Sequence, residues 1–221
     1  MSEGAIRAVV FDLDGTLVET EAQWARAREA LTARTGGVWR PGAHEAMMGM
    51  SSTEWTRHMH EELGVPLSPP EILEAIVDEL DTLYRADLPL LSGALQAIDA
   101  AATVGPLAVA SSSPAALIDL VLELAGVRER FTAVLSSEDL PRGKPSPDVF
   151  LEACARLGMA PGEVAAVEDS APGLEAALAA GMRVVAVPSV HFRPADAVLA
   201  RVDVVLDTIE ELTPAILRGT P

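Results

Sequence analysis

Cysteine, lysine and aromatic residues are rare in this sequence. Among its 221 residues one is cysteine, and 4% are Phe, Trp or Tyr. A single cysteine excludes a disulfide scaffold within the chain, and its apolar helical surroundings predict that Cys154 is a core residue in a reducing compartment. Arginine provides all of the sixteen basic residues except Lys144. We therefore expect Lys144 to occupy a position that a guanidinium group cannot fill.

Positive charge is scarce as well. The formal net charge of −17 disfavours nucleic acids and anionic membranes as partners, because both bind cationic surfaces. The same excess of carboxylates suits a protein that recruits a divalent cation. The N-terminal residues lack the pattern of a signal peptide, and the longest uncharged run, residues 100–118, is divided by glycine, proline and serine. A soluble, cytoplasmic protein is the expectation.

Short β-branched runs alternate with alanine-rich helical segments, which predicts a parallel sheet covered by helices. Predicted strands cover residues 5–11, 107–111, 133–135, 164–167, 183–187 and 202–206, and predicted helices cover 114–124, 148–157 and 173–180. Between the first two strands lie roughly ninety residues, more than one crossover needs. That segment has helical periodicity at residues 21–34, 52–63 and 70–84.

The expected fold class is therefore α/β, with a Rossmann-like parallel sheet core and an inserted all-helical cap domain. Residues 1–16 and 88–221 would form the core, and residues 17–87 the cap. The insertion begins beside the carboxyl end of the first strand, where open α/β sheets bind ligands. The two junctions would be hinges that close the cap over bound substrate.

The segment FDLDGT, residues 11–16, ends the first predicted strand with two carboxylates. Asp12 and Asp14 are two positions apart, so they face the same side of a strand. Two such charges repel by roughly 4 kcal/mol at 4 Å in an effective dielectric of 20, unless a cation or a proton joins them. Gly15 permits the tight turn that close approach to an anion requires. Turn or capping residues are the alternative interpretation.

Three later segments place polar side chains at or near the ends of other strands. Ser111 ends the strand LAVAS, and its hydroxyl with the amide of Ser112 could bind phosphate oxygens, or Ser111 could cap the next helix. Lys144 lies in a proline-stiffened loop, RGKPSPD, where a solvated loop lysine is the alternative interpretation. Glu168 and Asp169 close the strand VAAV, where they could ligate Mg²⁺ together with a phosphate or cap the following helix.

In this order, the four motifs resemble those of the haloacid dehalogenase superfamily over nearly the whole chain. The insertion resembles the small helical cap of its β-phosphoglucomutase-like and phosphoglycolate phosphatase-like branch. The resemblance implies Mg²⁺-dependent hydrolysis of a small phosphorylated metabolite, such as a sugar phosphate. It also implies that Asp12 is the nucleophile that forms an aspartyl-phosphate, and that Asp14 is the general acid and base.

The resemblance implies roles for the other motif residues too. Lys144, Ser111 and Mg²⁺ would spread the charge of the transferring phosphoryl group. Asp12, the carbonyl of Asp14 and Asp169 would hold the Mg²⁺ ion, with Glu168 close by.

Other branches of the superfamily carry out other reactions. Dehalogenases of this kind lack the second aspartate, so Asp14 argues against that branch, and the inserted segment contains no lysine for the Schiff base of the phosphonate hydrolases. In a β-phosphoglucomutase, an arginine would stand at Ser52 and a histidine at Trp24. Both departures argue against a phosphomutase, although Arg57 keeps that alternative open. A non-catalytic phosphate-binding module is the alternative from another class.

Residues of the insertion could contact the leaving group of the substrate. These possible specificity residues are Trp24, Met47, Gly49, Met50 and Ser52. Packing in the core of the cap is the alternative for each of the large ones. The histidines at positions 44, 58 and 60 are expected at the surface rather than in a metal site.

Overall fold

The computed structural model describes residues 5–48, 50–189 and 193–219. The chain divides into two compact units, one formed by Met1–Glu19 with Pro89–Pro221 and the other by Thr20–Leu88. Within the described ranges, no helix combines the length and the apolar character that a membrane span requires.

The unit Thr20–Leu88 is helical. Its helices are α1 (Glu21–Thr35), α2 (Ala43–Met47), α3 (Ser52–Glu61) and α4 (Pro69–Ala86). Capping boxes at Ser51 and Ser68 fix the starts of α3 and α4, because each serine and the glutamate three residues later satisfy exposed amides. Helix α4 buries one face with residues at the spacing of successive turns, and α1 and α3 pack against α4.

The other unit contains a parallel sheet. In the described part of the chain its strands are β1 (Ala8–Phe11), β2 (Leu107–Ser111), β3 (Phe131–Ser136), β4 (Val164–Glu168), β5 (Arg183–Ala186) and β6 (Val204–Val205). The strands lie in the order β3-β2-β1-β4-β5-β6, and every neighbouring pair is parallel. This is the Rossmann-like order, in which the chain reverses direction across the sheet next to β1. The predicted α/β fold class is confirmed.

Helices surround this sheet. Those that pack on its strands are α5 (Ala94–Ala102), α6 (Ala115–Leu124), α7 (Asp148–Leu157) and α8 (Ala171–Ala180), while α9 (Asp196–Leu199) packs on α8 and α10 (Pro214–Arg218) packs on α5. Ala8 and Val10 of β1 share a buried cluster with Phe150 of α7 and Leu174 of α8. Cys154 is buried in the same cluster, as predicted. Because strand residues alternate in direction, the cluster fixes which way the side chains beyond β1 point.

Most predicted elements are confirmed, and the differences lie at their ends. Strand β1 begins at Ala8 rather than at residue 5, and β6 covers only two of the five predicted residues. Just before β6, the Asp203 carboxylate rather than a main-chain carbonyl accepts a hydrogen bond from the Val184 amide, and the Val202 amide donates to the carbonyl of Leu199. No bounds were predicted for helix α5. The short helices α2, α9 and α10 were not predicted either, since fewer than two turns leave little periodicity.

Candidate active site

The segment after β1 carries Asp12 and Asp14 and turns sharply at Gly15. The Asp12 amide donates to the carbonyl of Val167 at 2.9 Å, which continues the pairing of β1 with β4. Gly15 then adopts φ +80° and donates to the carbonyl of Val18 at 2.7 Å. A Cβ atom at Gly15 would collide with the Asp169 carboxylate, so this position requires glycine for both its conformation and its space.

Lys144 is a buried cation between two carboxylates. Its Nζ lies 2.7 Å from Asp12 Oδ1 and 2.7 Å from Glu168 Oε1, and its side chain is 5% exposed. The ammonium also lies 5.0 Å from the ring centroid of Phe150. A compact ammonium satisfies two carboxylates at such a position, whereas the larger planar guanidinium of arginine would need more space.

Glu168 is engaged at both of its oxygens. Oε1 accepts from Lys144, while Oε2 accepts from the amide of Ser170 at 2.7 Å and from its hydroxyl at 3.0 Å. The Gly173 amide donates in turn to the Ser170 hydroxyl, and a Cβ at Gly173 would collide with Glu168. Glu168 is therefore held by the first turn of α8 in a position that supports Lys144.

Three carboxylates form a compact buried cluster at the point where the strand order reverses. Oxygens of Asp12, Glu168 and Asp169 lie within 4.8 Å of one another. Among the residues the structure describes, Asp169 Oδ1 is buried and has no hydrogen-bond partner. Hard carboxylate oxygens at this spacing, one of them unsatisfied, fit a divalent cation such as Mg²⁺.

The electrostatics of the cluster favour an added positive charge. Burial, together with repulsion by Glu168, raises the pKa of Asp12 to about 7, although attraction by Lys144 lowers it in part. Burial, and then repulsion by Glu168 and Asp12, also raises the pKa of Asp169. Burial alone would lower the pKa of Lys144, but the attraction of Asp12 and Glu168 outweighs it and raises that pKa. One ammonium thus leaves the carboxylates incompletely neutralised, so a proton or a cation is favoured there.

Asp14 contacts the serine run that follows β2. The Ser113 hydroxyl donates to Asp14 Oδ2 at 2.7 Å, and the Ser111 hydroxyl lies 3.3 Å from the same oxygen. Ser112 is exposed, and its hydroxyl lies 3.4 Å from that of Ser137. Sequence reasoning selected Ser111 and Ser112 but missed Ser113, because three successive serines carry the same chemistry and only their orientation separates them.

The predicted specificity residues lie in different environments of the helical unit. Met47 and Ser52 are buried, Trp24 and Met50 are half-buried, and Gly49 lies outside the described residues. The position of Met47, 1% exposed in the core of its unit, is that of a packing residue. The Trp24 and Trp55 rings meet edge to face at 5.9 Å between centroids.

Sequence reasoning also missed two groups of the helical unit. The guanidinium carbon of Arg28 lies 4.8 Å from the Trp24 centroid and 5.0 Å from that of Trp55, and Arg28 is buried. The expected surface position of His44 is wrong: its side chain is 14% exposed, and its Nε2 lies 2.8 Å from the Glu21 carboxylate.

A family model described as haloacid dehalogenase-like hydrolase matches residues 6–181. This chain belongs to that family. The family predicted from the four motifs is therefore confirmed, and so is the prediction of a hydrolytic enzyme of the phosphatase kind.

Similar proteins support the same assignment. Hexitol phosphatase B of Escherichia coli strain K12 is 33% identical over 220 residues, which cover 97% of each chain. The crystal structure of CbbY from Rhodobacter sphaeroides in complex with phosphate is 29% identical, with a TM-score of 0.86 over 96% of this chain and 99% of that one. A point mutant of the same CbbY has also been solved in complex with xylulose-1,5-bisphosphate.

Proposed function

We propose that this phosphatase requires Mg²⁺ and hydrolyses a small sugar phosphate or similar metabolite through an aspartyl-phosphate on Asp12. The observation that carries the proposal is the position of Asp12. Its Oδ1 is bound by the buried Lys144, and its carboxylate shares a cluster with the partly unsatisfied Asp169. A nucleophilic carboxylate needs a fixed cation and electrostatic compensation for the incoming phosphate, and this cluster supplies the residues for both.

Asp12, Asp169 and the main-chain carbonyl of Asp14 are proposed to hold Mg²⁺. Asp169 offers the unpartnered oxygen, whereas both oxygens of Glu168 already accept hydrogen bonds. Glu168 is therefore proposed to orient Lys144 rather than to ligate the metal directly. When bound, Mg²⁺ supplies positive charge that offsets the negative charges of the aspartates and of the phosphate.

In the first half-reaction, a carboxylate oxygen of Asp12 attacks phosphorus and the bond from phosphorus to the leaving oxygen breaks. Asp14 gives its proton to that oxygen, so the leaving group departs as an alcohol. Lys144, the Ser111 hydroxyl and the Ser112 amide are proposed to hold the phosphoryl oxygens. Dividing the displacement into two steps lowers the barrier that a single attack by water would meet.

In the second half-reaction, the ionised Asp14 accepts a proton from water as the water attacks the aspartyl-phosphate. The bond between Asp12 and phosphorus breaks, inorganic phosphate leaves, and both aspartates return to their starting states. One group thus serves as the acid of the first half-reaction and as the base of the second.

The relatives indicate the substrate class. Hexitol phosphatase B is named for phosphorylated hexitols, and CbbY has been solved with a sugar bisphosphate. We extend only the shared chemistry, a phosphorylated polyol or sugar, to this chain. The unit Thr20–Leu88 is proposed to be the cap that discriminates among such substrates. The phosphomutase alternative is not favoured, since Ser52 and Trp24 stand where a phosphomutase of this family would carry an arginine and a histidine.

Hydrolysis of p-nitrophenyl phosphate tests the mechanism. We expect activity with MgCl₂, its loss in EDTA and its recovery on adding Mg²⁺ back. Asp12→Asn should lower kcat by roughly 10³-fold or more, because it removes the nucleophile. The exposed Asp207 provides a matched control, and Asp207→Asn should retain full activity. Activity that survives chelation or the Asp12→Asn change would refute the mechanism.

A further inference from the structure

Ser113 commits its hydroxyl to Asp14. Its Oγ donates to Asp14 Oδ2 at 2.7 Å, a well-formed hydrogen bond to a carboxylate, and the residue is 7% exposed. Ser111 Oγ is 3.3 Å from the same oxygen and therefore makes the weaker of the two contacts. A hydroxyl that is buried and engaged at 2.7 Å restricts the rotation of the carboxylate about its terminal torsion, which is otherwise broad.

Ser113 is itself fixed from two strands. Its amide donates to the Ser111 hydroxyl at 3.0 Å, at the end of β2. Its carbonyl accepts from the hydroxyl of Ser136, the last residue of β3, at 2.7 Å, and the Glu138 amide donates to that same hydroxyl at 3.2 Å. Ser136 is 3% exposed. The position of the Ser113 hydroxyl is thus determined by the sheet rather than by a freely moving loop.

We propose that Ser113 is a positioning residue that holds the carboxyl group of Asp14 in the orientation needed for proton transfer. The inference rests on the proposed function of Asp14 as general acid and base. The Ser113 hydroxyl holds Oδ2 of this carboxyl group, which leaves the Ser111 hydroxyl for the phosphoryl oxygens. In the first step the proton of Asp14 passes to the leaving oxygen as that oxygen takes the electron pair of the breaking bond to phosphorus.

A positioning role has a consequence that a packing role lacks. An alkoxide leaving group needs the proton, whereas dinitrophenolate is stable without it. Loss of a general acid therefore slows an alkyl phosphate far more than a dinitrophenyl phosphate. Damage to the fold or to the phosphate site would slow both substrates alike. The ratio of kcat/KM for the two substrates isolates the first half-reaction, because kcat/KM reports only the steps up to the first irreversible one.

The experiment compares four variants with glycerol phosphate and 2,4-dinitrophenyl phosphate as substrates, in MgCl₂. Asp14→Asn should lower kcat/KM for glycerol phosphate by about 10²- to 10⁴-fold and spare the aryl substrate. Ser113→Ala should show the same selectivity with a smaller loss, about 10- to 100-fold. Ser113→Thr keeps the hydroxyl and should recover most of this loss. Ser137→Ala removes a neighbouring buried hydroxyl and should leave both values unchanged.

The outcomes distinguish an error about Ser113 from an error about Asp14. If Ser113→Ala slows both substrates equally, or neither, Ser113 does not position Asp14 and the inference is wrong, whatever Asp14→Asn does. If Asp14→Asn itself slows both substrates equally, Asp14 is not the general acid and the proposed function fails at that step. Selective loss in both variants, with rescue by Ser113→Thr, supports both.

Discussion

Each unit of this protein contains a buried cation, and the two are held in opposite ways. Lys144 lies in the sheet-containing unit, 2.7 Å from each of two carboxylates. Arg28, 6% exposed, lies in the helical unit beside the rings of both Trp24 and Trp55. Among the residues the structure describes, no carboxylate forms an ion pair with Arg28, and its buried Nε has no hydrogen-bond partner.

The pKa values reflect this difference. Burial lowers the pKa of Arg28 to about 10, and the more distant charge of Glu21 only partly opposes it. The pKa of Lys144 is raised, because attraction by Asp12 and Glu168 exceeds the effect of burial. Lys144 is thus part of a charge network, whereas Arg28 is held by aromatic faces and packing. We expect the role of Lys144 to depend on its charge, and the role of Arg28 to depend on the packing of its side chain.

Replacing Lys144 should have the largest effect. Lys144→Met leaves Asp12 and Glu168 facing each other without the ammonium between them. We expect kcat to fall by about 10²- to 10³-fold, as when a preorganised electrostatic group is removed. Breaking this buried network should also lower the free energy of unfolding by about 3–5 kcal/mol in the absence of Mg²⁺. Steady-state kinetics and urea unfolding measure the two effects.

Arg142→Met is the matched control for that change. Arg142 lies two residues before Lys144, but its side chain is 69% exposed and pairs with Asp148. The control should change kcat little and the free energy of unfolding by less than about 1 kcal/mol. Similar results for both variants would mean that Lys144 acts through its loop rather than through its buried charge.

Mg²⁺ should stabilise the protein more at alkaline than at acidic pH. Because the pKa of Asp12 is about 7 in the folded protein, against an ordinary value of 3.8 for an aspartate, the folded state binds more protons between those values. The free energy of unfolding therefore falls as pH rises through this window, by up to about 1.4 kcal/mol per pH unit from Asp12. The raised pKa of Asp169 acts in the same direction. Bound Mg²⁺ would supply the positive charge that Asp12 and Asp169 lose with their protons as the pH rises.

Thermal unfolding with and without MgCl₂, at about pH 5 and about pH 8, measures this effect. At 100 times the Kd, binding contributes about 2.7 kcal/mol at the higher pH, and proton competition should reduce it at the lower. Asp169→Asn should abolish most of the shift, while Asp207→Asn should keep it. An equal Mg²⁺ effect at both pH values would contradict a site built from these carboxylates.

The sequence was sufficient to predict most of the fold and most of the cluster. Strand β2 was predicted at its observed bounds, and the residues at the ends of β1 and β4 converge because parallel strands end at one edge. Lys144 stood out as the only lysine. Arg28 had no such distinction among fifteen arginines, although Trp24 and Arg28 are four residues apart on one face of α1. Its burial depends on Trp55, a residue of another helix.

Replacing Arg28 with an apolar side chain of similar length should have a small effect. Arg28→Met loses two cation–π contacts of roughly 0.5–2 kcal/mol each but also removes the cost of burying a cation. We expect the free energy of unfolding to change by less than about 1 kcal/mol. Arg28→Ala leaves a cavity beside two indoles and should cost about 2–5 kcal/mol. If Arg28→Met were as destabilising as Lys144→Met, the contrast between the two cations would be wrong.

A third cation tests whether burial or bond length sets these differences. Arg34 of α1 lies 2.7 Å from Glu79 of α4, the same separation as in the Lys144 pairs, but the two side chains are 49% and 27% exposed. A double-mutant cycle with Arg34→Ala and Glu79→Ala should give a coupling of only about 0.2–1 kcal/mol. In about 1 M NaCl, where the Debye length is about 3 Å, the coupling should largely vanish. A coupling as large as the loss of unfolding free energy expected for Lys144→Met, or one insensitive to salt, would show that the distance between the charged atoms alone sets the strength of an ion pair. The expected result instead attributes the difference between the Arg34 pair and the Lys144 pairs to desolvation, because the distances are the same.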